Sequence, residues 1–245
     1  MQRYGIDIAY DGTAYAGWQV QPNGVTIQEK IEGALARLSG ERPKVHGSGR
    51  TDQGVHARRQ VAHFDLERGL PPVAMARGLN ALLPPDIRVS AARRAAPDFH
   101  ARRSAVLKEY RYFIWNGDVV PPFVQRYRTM VRNRLDAGAM QRAAAQLIGR
   151  NDFAAFTANP NRDVESTVRS LTQLRVMRRG KEVVIVAESD GFLYKMVRSL
   201  AGFLIRVGEG AVPVADAAAV LLSGIRTARV PTAPPEGLFL WNVKY

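Results

Sequence analysis

The sequence predicts an α+β protein: two ferredoxin-like lobes with mainly antiparallel sheets facing a central basic cleft. Three observations carry that reading. Short runs of apolar residues alternating with period two are interleaved with runs of helical period, so strands and helices take turns. The order strand–helix–strand–strand–helix–strand runs once and then again, without a sequence repeat. The chain's 245 residues, 46% hydrophobic and 23% charged, have ordinary globular composition and room for two small lobes.

The first lobe is expected over residues 1–103. Arg3 to Tyr10 alternates like a strand and stops at Asp11-Gly12. Thr26 followed by Glu29 spells a capping box. Behind it Ile27, Ile31, Leu35 and Leu38 share one helical face, and Gly40 closes the helix. A second strand near Pro43 to Ser48 is poorly marked. Arg59 to Leu66 reads as a strand with Val61, His63 and Asp65 on one side and Ala62, Phe64 and Leu66 on the other. Pro71-Pro72 opens a helix that Pro84-Pro85 ends, and Ile87 to Ala95 is a strand.

The second lobe is expected over residues 104–245. Ala105 to Trp115 is strand-like. Asp136 caps a helix with Met140, Ala144, Leu147 and Ile148 inward and Gly149 past its end. Val168 to Met177 and Val183 to Ala187 form a hairpin around Arg178-Arg179-Gly180-Lys181. Leu193 to Val207 is an amphipathic helix, Val212 to Leu222 a shorter one, and Gly237 to Val243 a closing strand. Thr157 to Ser166, rich in Asn, Pro and charge, is expected to be a mobile loop.

Charge gives the first functional clue. Lys+Arg number 35 against 22 Asp+Glu, a formal net charge of +13. Lys appears only at Lys30, Lys44, Lys108, Lys181, Lys195 and Lys244, so Arg supplies most of it. Guanidinium forks match phosphates and stack on bases, and so basic a field attracts nucleic acid. A GC-rich genome that encodes Arg in place of Lys gives the same composition without such a partner. Cys is absent, which excludes disulfides, thiolate zinc sites and Cys nucleophiles. No run of ~18 apolar residues predicts a membrane span. Met1 to Asp7 carries an early Asp and no apolar signal segment, so a cytoplasmic home is expected.

The most informative segment is Gly47-Ser48-Gly49-Arg50-Thr51-Asp52-Gln53-Gly54-Val55-His56-Ala57. Its glycines imply a tight, irregular backbone, and its polar groups are wedged between apolar strands. A carboxylate here can sit at a cleft with the neighbouring Arg50 guanidinium holding it ionised. An Asx turn with a local Arg50 pair is the structural alternative. Other chemistries find less support. There is no HExxH and no GxxxxGK[ST], and His46, His56, His63 and His100 are scattered along the chain, so no metal is expected. Asp52 is the best single reactive group.

Two further constellations stand out. In Lys108-Glu109-Tyr110-Arg111-Tyr112, strand geometry puts Lys108, Tyr110 and Tyr112 on one face. A Tyr platform beside a cation suits a base removed from its stack, although Tyr also fills sheets. In Phe192-Leu193-Tyr194-Lys195-Met196-Val197-Arg198, the cations lie three apart with Gly202 continuing their face, where another backbone can approach. Snorkelling cations on a surface helix are the alternative.

Arg50 to Ala57 resembles the signature G-R-T-D-x-G-V-H of the tRNA pseudouridine synthase A family. The likeness runs through most of the chain: Tyr10-Asp11-Gly12-Thr13 with Gly17-Trp18-Gln19, Gln60-Val61 with His63-Phe64, Asp98-Phe99-His100-Ala101-Arg102, Tyr110-Arg111-Tyr112, Met196-Val197-Arg198 with Gly202, and Gly237-Leu238 to Tyr245. Gln53 departs from the small residue, usually Ala, expected there. The resemblance implies a cofactor-free, metal-free isomerase that converts uridine to pseudouridine at positions 38 to 40 of the tRNA anticodon stem-loop. It implies a homodimer whose subunits both hold the tRNA. Carried over by motif, Asp52 is the nucleophile, Tyr110 stacks on the target base, Arg50 helps evert the nucleotide and Arg198 pairs with Asp52. Lys195 and Arg58 join Arg50 and Tyr110 as expected RNA contacts. A non-catalytic RNA-binding or chaperone protein explains the charge but not the glycine-wrapped Asp52, and a metal nuclease needs more carboxylates than are gathered here.

Overall fold

The computed structural model describes residues 1–158 and 165–245, so most of the loop expected at 157–166 lies outside the described residues. The chain divides into two compact units, Met1–Val106 with Phe239–Tyr245, and Leu107–Leu238.

The first unit builds its sheet on β1 (Gln2–Tyr10) and β3 (His56–Leu66), which pair antiparallel from Gln2 opposite Leu66 to Tyr10 opposite Ala57. β4 (Ile87–Arg94) lies antiparallel on the outer side of β1. The other edge of β3 is shared. The two-residue β2 (His46–Gly47) pairs antiparallel with His63 and Ala62, and β10 (Leu238–Lys244) pairs parallel with His56 and Ala57. The spatial order β4-β1-β3-β2 with two intervening helices is the ferredoxin-like arrangement. β3 starts three residues earlier than its apolar pattern predicts, because His56 and Ala57 gain β10 as a ladder partner. That partner is the chain's last strand, which the sequence reading grouped with the second lobe.

The helices form for the reasons their sequences give. α1 (Ile27–Ser39) opens on a complete capping box: the Thr26 hydroxyl accepts from Glu29 N–H, and the Glu29 carboxylate accepts from Thr26 N–H. It closes on Gly40 at φ 76°. α2 (Pro72–Leu82) starts on Pro72, whose missing N–H a helix start does not need. Ile6, Ile8, Ile27, Ile31, Leu35, Met75 and Leu79 are fully buried and make the core of this unit. Leu38 closes the helix–helix contact against Gly78, where an added Cβ would meet Leu38 Cδ1 at 2.5 Å.

The second unit repeats the scheme. β5 (Leu107–Asn116), β9 (Glu182–Ser189), β8 (Val168–Arg179) and β7 (Gly149–Asp152) follow one another antiparallel, and β6 (Thr129–Val131) runs parallel to β5. The β8–β9 hairpin turns on Gly180 at φ 59°. α3 (Ala137–Ala145), α4 (Met196–Gly208) and α5 (Asp216–Ser223) complete it. Tyr112, Met140, Phe153, Phe156, Leu200 and Phe203 are fully buried in its core.

Three expectations are corrected here. α3 is capped by Asp136 as predicted, but it ends at Ala145; Ile148 is 43% exposed while Met140, Ala144 and Leu147 are buried. α5 starts at Asp216, not Val212, because a tighter turn from Asp216 N–H to Pro213 O precedes it. α4 starts at Met196 because Lys195 has φ 56° and ψ 14°, the left-handed region, which cannot continue a right-handed helix. Lys195 and Arg198 therefore do not share a helical face.

Candidate active site

The Asp52 loop, Ser48 to Val55, connects β2 to β3 and is tied on three sides. Beneath it Gln60, fully buried, accepts from the Ser48 hydroxyl at 2.6 Å and donates to Gly49 O at 2.8 Å, while Ser48 N–H donates to Val61 O at 2.8 Å. On one flank Trp18 N–H donates to Thr51 O at 3.1 Å, and the Thr51 and Tyr10 hydroxyls bond at 2.8 Å. On the other, Gly54 N–H donates to Tyr15 O and Val55 N–H to Asp52 O, a turn that Gly54 makes at φ 75°. Burial pushes the Tyr10 phenol pKa up, so it stays a neutral hydroxyl.

Glycine makes this closeness possible. A Cβ on Gly12 would stand 2.0 Å from Val55 O, and one on Gly17, at φ 104°, would stand 2.6 Å from Thr51 O. The motifs Tyr10-Asp11-Gly12-Thr13 and Gly17-Trp18-Gln19 thus form the wall against which the Asp52 loop is pressed. His56 adds a pin, its Nδ1 accepting from Gly12 N–H at 3.0 Å. Asp52 itself is half-buried.

Arg50 is exposed and makes no ion pair or hydrogen bond among the described residues, so the local pair with Asp52 that the spacing suggested is not formed. Gln53 is exposed as well, and its departure from a small residue leaves the packing of the loop untouched. Arg58 is exposed on β3, with its guanidinium carbon 4.8 Å above the Trp241 ring, a stacked and pre-oriented cation.

Tyr110, Lys195 and Arg198 all lie in the second unit. Tyr110 sits on β5 opposite Ala187, is 8% exposed, and meets Phe192 edge to face at 5.1 Å between ring centres. Tyr112, one strand pair along, is a core residue: its hydroxyl lies 2.6 Å from the Thr129 hydroxyl and donates to Pro234 O at 2.8 Å. Lys195 caps α4 in its left-handed conformation, its ammonium 4.9 Å from the Tyr194 ring centre. Arg198, in the first turn of α4, donates from Nε to Ala233 O at 2.7 Å, and Ala233 N–H returns a bond to Arg198 O at 3.0 Å.

A family model described as tRNA pseudouridine synthase matches residues 7–102 and 143–245, which takes in the Asp52 loop, β3, α4 and the C-terminal strand. The chain belongs to the tRNA pseudouridine synthase family. A protein named tRNA pseudouridine synthase A from Exiguobacterium sp. is 43% identical over 245 residues, covering all of this chain and 98% of the relative. One of the same name from Geobacter sulfurreducens is 44% identical over 246 residues, with both chains covered in full. A chain in the crystal structure of a Cbf5-Nop10-Gar1 complex aligns with 82% of this chain and 45% of its own, at 14% identity and a TM-score of 0.33, a likeness too slight to carry a reading. Pseudouridine synthases are isomerases that convert uridine to pseudouridine.

In this family member the histidines are not scattered. His46, His63 and His100 gather on the first unit, with ring centres 4.6 to 5.9 Å apart. The His63 and His100 Nδ1 atoms accept from Ala101 N–H and Arg102 N–H, both at 3.2 Å, and so fasten the Asp98-Phe99-His100-Ala101-Arg102 segment to the sheet. Among the described residues no group of His, Asp or Glu is arranged to hold a metal ion. The sequence reading also passed over Arg226, which stands between Ile225 and Thr227 in the stretch before Pro231. Among the described residues no helix is long and apolar enough to cross a membrane.

Proposed function

We propose that this chain isomerises uridine to pseudouridine at positions 38 to 40 of the tRNA anticodon stem-loop, with Asp52 as nucleophile, and acts as a cytoplasmic homodimer. The observation that carries the assignment of Asp52 is the clamped loop. An Asx turn would need only local bonds, whereas this loop, which carries the half-buried Asp52, is fixed by Gln60, Tyr10 and close backbone contact. Such rigidity serves a group that must meet one atom of a substrate.

The reaction breaks the C1′–N1 bond, turns the base, and forms a C1′–C5 bond; C5 loses a proton and N1 gains one, so the mass is unchanged. A carboxylate can attack the sugar or base carbon, or remove a sugar proton. In this reading Tyr110 stacks on the flipped base, Arg198 pairs with Asp52, and Arg50, Arg58 and Lys195 grip the backbone. Flipping costs a few kcal/mol, which Arg–phosphate contacts offset. Arg50 supports that role, being exposed and uncommitted to any protein partner among the described residues.

The homodimer draws support from the second unit. Val119 and Phe123, on one loop, are 75% and 91% exposed, surface of the kind a protein partner covers. Light scattering at micromolar concentration is expected to give twice the chain mass. The deciding experiment treats unmodified bulk tRNA with the enzyme in EDTA and detects pseudouridine with a specific reagent at single-nucleotide resolution. Conversion at positions 38 to 40 is expected. Binding without conversion would return the chain to an RNA-binding role, and loss of conversion in EDTA would point to a metal-dependent reaction.

A further inference from the structure

Arg198 is held by a segment of chain that does not belong to its own helix. Pro231 to Ala233 crosses α4 at Gly202, where a Cβ would stand 2.1 Å from Pro231 O, and continues to the paired bonds between Ala233 and Arg198. Because Nε is committed to Ala233 O, the plane of the Arg198 guanidinium follows wherever this segment lies. What fixes the segment therefore fixes the direction of the two Nη groups.

Arg226 fixes it. Its Nη2 donates to the Thr232 hydroxyl at 2.8 Å, and its Nη1 donates to the hydroxyl of Ser199 at 2.7 Å and to Thr157 O at 3.2 Å. Ser199 is fully buried and follows Arg198 directly in α4. One planar fork thus joins the crossing segment at Thr232 to the helix at Ser199, one residue from each member of the Ala233–Arg198 pair. All three acceptors are neutral, so among the described residues Arg226 acts as a spacer between two elements and not as half of an ion pair. Burial lowers its pKa, a desolvation cost that no carboxylate offsets among the described residues. A second tie, from the Tyr112 hydroxyl to Pro234 O, holds the far end.

We propose that Arg226 is a positioning residue for pseudouridine formation: through Thr232 and Ser199 it sets the segment that aims the Arg198 guanidinium. The proposal rests on the reading of Arg198 given above. Lysine in place of Arg226 keeps the charge and loses the fork, so it cannot bridge the same two hydroxyls.

The test measures single-turnover rate and tRNA affinity for Arg226→Met, Arg226→Lys, Arg198→Met and the double variant Arg198→Met/Arg226→Met. Arg226→Met is expected to slow the reaction about 10- to 100-fold, the range a misplaced catalytic group gives, with tRNA affinity changed less than about threefold because phosphate contacts carry it. Arg226→Lys should recover only part of the rate. The double variant should be no slower than Arg198→Met alone, since a residue that acts through another adds nothing once that other is gone. A rate within about twofold of wild type for Arg226→Met, or losses that multiply in the double variant, would overturn the proposal. If Arg226→Met does not fold, Thr232→Val removes the acceptor with little change of shape and enters the same cycle. A wild-type rate for Arg198→Met would instead remove the reading of Arg198 itself.

Discussion

Around Asp52 the side-chain ties of Gln60, Tyr10 and His56 are joined by main chain pressed on main chain at two places, with Gly12 and Gly17 allowing carbonyls of Val55 and Thr51 within 2.0 and 2.6 Å of where a Cβ would stand. Around Arg198 one such contact, at Gly202, is supplemented by side chains: Arg226, Thr232 and Tyr112. The two regions fix one charged group each but fail differently. A lost side-chain hydrogen bond costs about 1 kcal/mol net and lets the segment drift. An added methyl between two backbones has no space to enter and displaces the whole loop. Asp52, the proposed nucleophile, is placed by the device that tolerates less motion, and Arg198 by one that has adjustable parts.

The largest expected effect is at the group the tighter device holds. Asp52→Asn keeps size and polarity and removes the ionised carboxylate. Turnover should fall by at least about 10⁴-fold, on the scale of losing a group on which covalent chemistry depends, while tRNA affinity stays within about threefold. Residual activity within tenfold of wild type would sink Asp52 as nucleophile.

Next in size is the comparison of the two devices. Gly17→Ala places a methyl 2.6 Å from Thr51 O in a backbone conformation that Ala disfavours, and should cost about 2–4 kcal/mol of stability. Tyr10→Phe removes the hydroxyl that bonds Thr51 and Gln60, adds no bulk, and should cost about 1 kcal/mol. Urea titrations of both variants measure the difference. Equal costs would mean that the Asp52 loop is held by its hydroxyls and not by close backbone approach.

Much of this was legible in the sequence, and the exceptions have physical causes. Period, caps and turn residues are local, so β1, both ends of α1 and the β8–β9 hairpin follow from them. The partner of a strand is not local: nothing in Leu238 to Lys244 says that it will pair with His56 and Ala57. Lys195 illustrates the same limit at one residue. Its side chain suits a helix, and only the descent of the chain into α4 imposes the left-handed turn. For the site, glycine spacing pointed to a close approach at Gly202, which Pro231 supplies, and to Asp52 on an irregular loop. It did not point to Arg226, because an anchor whose partners among the described residues are all neutral leaves no charge pattern to read.

A third region adds a titratable anchor to the comparison. His63 is buried beside His46 and His100, and desolvation first, then those neighbours, lowers its pKa to about 4. His46 and His100 are lowered too, chiefly by desolvation. In the unfolded chain these groups titrate near 6.5. Above that pH both states are neutral and the stabilisation is complete. As pH falls from 6.5 toward 4 the unfolded chain takes up protons that the folded one refuses, so stability drops, by about 1.4 kcal/mol per pH unit for His63. The Arg3–Asp65 pair does not confuse the window, since the hydrogen bond from Arg3 holds Asp65 below the ordinary carboxylate range and its loss comes at lower pH. His63→Asn keeps an acceptor near the Nδ1 position for Ala101 N–H and removes the titration. Its stability between pH 6.5 and 4.5 should be flatter than wild type by about one proton. An unchanged slope would assign the acid sensitivity elsewhere.

The smallest effect is the one that separates strain from grip at the start of α4. Lys195 is the one non-glycine residue with positive φ among the described residues, a conformation that costs about 1–2 kcal/mol for a side chain with a Cβ. Lys195→Gly relieves that strain but frees the unfolded chain by about 0.5–1 kcal/mol, so net stability should rise by no more than about 1 kcal/mol. Lys195→Ala keeps the strain and should leave stability near wild type. Both remove the ammonium. If that ammonium meets a tRNA phosphate, both variants should bind tRNA a few-fold more weakly, with a logarithmic salt dependence shallower by roughly one ion. The pair thus reads two quantities independently: the difference in stability between Gly and Ala reports the backbone, and the shared change in salt slope reports the contact. A stability gain with an unaltered salt slope would leave Lys195 as a strained turn residue that aims α4, and would remove it from the RNA-binding surface.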